Sequence, residues 1–171
     1  MTGLRASTLL TSGAALVVAI IVQLVVIGPL HLPFGRPDLV LVLLACIALV
    51  EGPATGAVLG FGAGLLGDLL SLHVLGQLAL VFCLVGYLVG MLGPEVDGSV
   101  AASLVVIAAA AAVTTLGYAA TSAILGDPAL SPHSVLPRAA GSAGYALLVA
   151  PFLFPAVAAA LRRVEGGRAV R

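Results

Sequence analysis

The sequence predicts an all-α polytopic membrane protein with six transmembrane helices in a single integral membrane domain, 1–171. Three observations predict it. Of the 171 residues, 61% are apolar and 8% are charged, where a soluble domain carries roughly a quarter charged residues. Mean hydropathy is +1.25. The seven acidic and seven basic residues, every base an arginine, fall mainly between long apolar runs. Together these exclude a soluble single-core globule, a disordered tail and a coiled coil. A net charge of zero leaves no basic field to hold nucleic acid.

The first apolar run, 9–27, follows Arg5 and closes at Gly28-Pro29. A charge-free run of about 20 residues crosses a hydrocarbon core of about 30 Å as a helix. It is too long for the core of a signal peptide, and no small-x-small cleavage site follows it, so it reads as a retained helix. The segment from His31 to Asp38 is a tight loop by its proline and glycine content. Run 39–50 stops at Glu51-Gly52-Pro53 and would cover only about 18 Å as a helix. Run 54–70 is likewise short before Asp68. The two are either spanning helices with charged ends in the interfaces or a re-entrant hairpin. Two spanning helices are preferred, because Asp38 and Asp68 can share one interface and Glu51 can take the other.

Run 74–92 is a full span, ended by Gly93-Pro94 and the acidic turn Glu95 to Asp97. Run 99–125 is rich in alanine and stops at Gly126-Asp127-Pro128. The last run, 139–161, carries Pro151 and Pro155, which should kink it. With six spans, Arg5, Arg162, Arg163, Arg168 and Arg171 share one side, and Arg36 and Arg138 the other. That asymmetry places both termini in the cytoplasm.

Four glycines, Gly52, Gly56, Gly60 and Gly64, recur at i+4 spacing, and Gly86 with Gly90 repeats the step. In a helix such a row leaves a smooth groove that another helix can approach closely. The groove serves either packing within this chain or docking of a partner helix. Asp68 is the most informative charge, because an acid at membrane depth is costly and usually meets a partner or a water-filled cavity. Arg36, Asp38 and Arg138 fall on the same outer side, so an outer polar cluster with Asp68 is expected; a simple interfacial cap is the plainer alternative.

Other chemistry is sparse. His31, His73 and His133 are isolated and lack the spacing of helical metal ligands. Cys46 and Cys83 lie in apolar runs with no CxxC. Thr114, Thr115, Thr121 and Ser122 are expected to bond their own helix carbonyls. No nucleophile motif, phosphate-binding loop or acidic metal cluster is present, so neither catalysis nor a cofactor is expected.

The sequence resembles the rod shape-determining protein MreD family. The resemblance rests on Pro37-Asp38 leading into Leu39-Val40-Leu41-Val42-Leu43-Leu44. It continues through Leu65-Leu66-Gly67-Asp68-Leu69-Leu70, then Leu75-Gly76 and Gly86-Tyr87-Leu88-Val89-Gly90. Length, the short second and third spans and the small loops agree. In one respect the sequence departs: basic residues commonly follow the Tyr-Leu-x-Gly segment in this family, whereas Met91-Leu92-Gly93-Pro94-Glu95 stands here. The resemblance implies a multi-pass component of the bacterial inner membrane with a six-helix fold similar to the S components of energy-coupling-factor transporters. It implies a non-enzymatic scaffold of cell-wall elongation, working with the MreC transmembrane helix, MreB, RodA and a class B penicillin-binding protein. The alternative is a substrate-capture subunit of a small-molecule transporter, against which the few aromatics argue.

Overall fold

A computed structural model describes residues 6–27, 38–70, 75–96, 98–124 and 132–166. They form α1 (Ala6–Val22), which runs on as one π-helical stretch (Gln23–Ile27), then α2 (Leu39–Glu51), α3 (Pro53–Leu70), α4 (Gln77–Val96), α5 (Val100–Ile124) and α6 (Pro132–Gly166). By length and composition α3, α4 and α5 are each able to cross a membrane, while α1 and α2 are shorter apolar helices.

The helix at the centre is α2. Every residue from Val40 to Leu49 is buried, on all sides of the helix. A helix apolar all round has no polar face to give to water and is stable only inside a larger apolar body. Here α1, α3, α4, α5 and α6 all pack against it. The faces they turn away from α2 are themselves apolar, among them Val58, Leu84, Val105 and Leu148. A bundle that is apolar inside and outside is matched to lipid rather than to water.

Backbone punctuation separates the helices. Gly52, at φ +92°, caps α2, its N–H returning to the Ala48 carbonyl at 2.9 Å, and α3 starts at Pro53. Proline suits a first helical turn because its missing donor would be unused there. Gly76, at φ +96°, stands just before α4. These positive φ angles suit glycine and strain other residues.

Several boundaries differ from the sequence expectation. Helix α4 starts at Gln77, after the Gly76 turn, and continues through Pro94 to Val96 instead of stopping at 92. A proline in the last turn removes a single hydrogen bond, and the i−4 residue whose carbonyl it crowds is Gly90, which has no side chain to add to the clash. Helix α6 extends on both sides of 139–161 and passes through Pro151 and Pro155 without a break. The charges that bounded that apolar run do not mark where the helix ends. Of the predicted loop from His31 to Asp38, residues 31–37 lie outside the described residues.

Candidate functional site

Two regions gather the residues the sequence singled out. The first is the seam between α3 and α4, where glycines bring the backbones together. A methyl group built on Gly60 would lie 2.7 Å from the Phe82 carbonyl carbon, and one on Gly64 2.6 Å from the Ala79 nitrogen. One on Gly56 would lie 2.9 Å from the Gly86 carbonyl carbon and 2.8 Å from Ala48 Cβ. The approach is reciprocal: Gly86 faces the Gly56 backbone, and Gly90 faces Gly52 and Pro53. No side chain fits anywhere along this line.

The groove is therefore filled from within the chain, by α4. Gly52 is not a member of the helical row as the i+4 spacing suggested. It stands outside α3 as the cap of α2, and open space surrounds its own Cβ direction. Gly93, which the spacing argument missed, makes a separate close approach, of α4 to α2: its Cβ would meet the Leu49 backbone. The signal was present as a third glycine one turn beyond Gly90. Gly62, on the opposite side of α3, has nothing within 4 Å of its Cβ direction.

The second region is the end of the bundle where α1 and α3 finish and α2 and α4 begin. A helix start leaves backbone N–H groups without intrahelical acceptors, and lipid offers none. Asp68, only 3% exposed, accepts from the N–H groups of Gly76 at 2.9 Å, Leu78 at 3.1 Å and Ala79 at 3.2 Å. One carboxylate thus serves several orphan donors, and its charge complements the positive end of the α4 dipole. Asp38 does the same for its own helix, accepting from Leu41 N–H at 3.0 Å. Gln23, in the π-helical stretch of α1, accepts from Val40 N–H at 3.1 Å.

Of the four charges in the expected outer cluster, Asp38 and Asp68 stand at this end, and each turns to backbone donors. Arg138 is exposed on α6, and Arg36 lies outside the described residues. Two carboxamides were missed by sequence reading, Gln23 and Gln77. Buried Gln77 donates from Nε2 to the Tyr118 carbonyl at 3.1 Å, to Thr121 Oγ1 at 2.7 Å and to Ser122 Oγ at 2.8 Å. It ties the start of α4 to the end of α5. The findable signal was a carboxamide at the head of an apolar run.

The hydroxyls along α5 divide as follows. Thr114, Thr115 and Thr121 donate to the carbonyls of Ala110, Ala111 and Gly117 at 2.8, 3.0 and 3.0 Å. Ser122 instead accepts from Gln77. Thr115 Oγ1 also meets Ser142 Oγ at 2.9 Å, joining α5 to α6. Among the described residues no group of three His, Cys, Asp or Glu side chains could hold a metal ion. The polar atoms described above are spent on capping helix starts, on carbonyls of their own helix and on joining helices.

Neither the curated proteins nor the solved structures yield a match, so the likeness to transporter S components rests on family resemblance alone, and the substrate-capture alternative gains no support. The family model for rod shape-determining protein MreD matches residues 5–160 of the 171. A match of that extent takes in α1 to α5 whole, α6 as far as residue 160, the glycine seam and both capping aspartates, and the chain belongs to the MreD family.

Proposed function

We propose that this protein is a non-enzymatic scaffold of the cell-wall elongation machinery, embedded in the bacterial inner membrane with both termini in the cytoplasm. The observation that carries the reading is the match to a rod shape-determining family over residues 5–160. In this reading the chain binds the transmembrane helix of MreC and works alongside MreB, RodA and a class B penicillin-binding protein. The architecture is consistent with a scaffold, since Asp68, Gln77 and the Thr115–Ser142 pair are used between helices. Because α4 fills the glycine groove, the MreC helix seats on an outward face of the bundle.

The test is made in rod-shaped cells depleted of their own family member. Expression of this chain restores rods, and a tagged copy solubilised in mild detergent brings down MreC. Cells that stay round despite a membrane-inserted chain, together with no MreC in the eluate, refute the reading.

A further inference from the structure

The central helix is short. Its 13 residues span about 20 Å, while the 18 and 20 residues of α3 and α4 span about 27 and 30 Å. Where α2 begins, the longer helices around it leave a recess of about 110 Å³. Val40 and Phe82 are among its apolar walls, Gln23 and Asp38 bring it polar atoms, and Leu24 and Leu70, respectively 50% and 58% exposed, line it on the outward side.

The charge balance of this recess is negative. Two helix starts and two helix ends meet here, and their half-charges of opposite sign cancel, so the carboxyl groups of Asp38 and Asp68 set the sign. Asp68 is enclosed beneath three backbone donors, whereas Asp38 lines the open space. Asp38 is held in place by Leu41 N–H at 3.0 Å. A carboxylate among apolar walls is costly unless a cation joins it. The volume admits an ammonium group with two or three methylenes and little more.

We propose that this recess binds a primary ammonium group, with its N–H donors on the Asp38 carboxylate and its methylenes against Val40 and Phe82. Such a group comes either from an aminophospholipid headgroup or from a small soluble amine. A quaternary ammonium lacks the N–H donors, and an anionic headgroup has the wrong sign.

The full-length protein in detergent micelles, with and without Arg36→Gln to remove the arginine two positions before Asp38 in the sequence, is incubated with phosphatidylethanolamine, phosphatidylcholine and phosphatidylglycerol of identical acyl chains. Native mass spectrometry then reads which lipid is retained, and thermal unfolding is followed with millimolar ethanolamine. Phosphatidylethanolamine retained about tenfold above the other two assigns the lipid source. Stabilisation by ethanolamine assigns a soluble amine. Asp38→Asn keeps an acceptor for Leu41 N–H and should abolish either effect. Leu24→Trp, a change at an exposed site, should obstruct the recess and abolish it as well. Equal retention of the three lipids with no ethanolamine shift overturns the proposal, as does an effect that survives in either folded variant.

Discussion

Replacing Gly60 with isoleucine tests the α3–α4 seam most directly. The first added carbon would sit 2.7 Å from the Phe82 carbonyl carbon, where carbon–carbon contacts settle at about 3.5–4.0 Å. Relief requires α4 to move outward by about 1 Å, and the obstacle is backbone, which has no rotamer to change. Phe82 is 1% exposed and packed in the core, so the displacement also loosens the contacts α4 makes with α2. Overpacking of this kind costs about 3 kcal/mol, near the top of its usual range. The same substitution at Gly62 meets open space and removes a poor helix former, so its cost stays below about 1 kcal/mol. Thermal unfolding of the isolated protein in detergent provides the assay, using a thiol-reactive dye that reports exposure of buried Cys46 in a Cys83→Ala background. A loss of about 3 kcal/mol corresponds to a midpoint about 6–12 °C lower for a chain of this size. Equal midpoints for the two variants, or an unchanged midpoint for Gly60→Ile, would refute the close-approach argument.

Asp68→Asn leaves one carboxamide oxygen where two carboxylate oxygens served the α4 start, and should cost about 1–3 kcal/mol in the same assay; charge swaps at Arg138 should not rescue it, because the acceptor's partners are backbone groups. Gln77→Leu removes the tie between α4 and α5 and should lower stability by about 1–2 kcal/mol, with most of the loss recovered in a double variant with Ser122→Ala if the stranded hydroxyl is the source. A reporter active only outside the cytoplasm, fused after Arg171, should stay silent, and activity there would overturn the topology proposed from arginine placement.

The glycine row was legible because close approach of helices needs small residues at helical spacing, and Gly56, Gly60 and Gly64 carry that period openly. Which element fills the row was not legible: a smooth surface on α3 is compatible with any helix, and the choice of α4 comes from a short connection and a matching pair at Gly86 and Gly90. Asp68 was recognised as a costly charge, but its partners were sought among side chains. They are backbone donors that exist only because Gly76 turns the chain and a helix starts at Gln77, and no residue type advertises an orphan N–H. The shortness of α2 was visible in the spacing of Asp38 and Glu51. Its burial on every side was not, since a uniformly apolar run reads the same in lipid and in a protein core.

The seam between α3 and α4 also constrains how the bundle can move. Sliding one of these helices along the other by a single residue, about 1.5 Å, would bring side chains into register with backbone that only glycine leaves clear. Rotation of either helix meets the same obstacle, so the two respond to a pull or a twist as one rigid plate. The contacts of α5 are of another kind. Gly117 meets the methyl groups of Val81, the nearest 3.3 Å from its Cβ direction, Gln77 reaches the end of α5 by side-chain hydrogen bonds, and the contacts with α6 include a hydroxyl pair, Thr115 with Ser142. Methyl groups and hydroxyls can exchange neighbours without a backbone clash. A mechanical signal crossing this protein would therefore leave the α3–α4 plate undeformed and be taken up by the tilt of α5 and α6 against it.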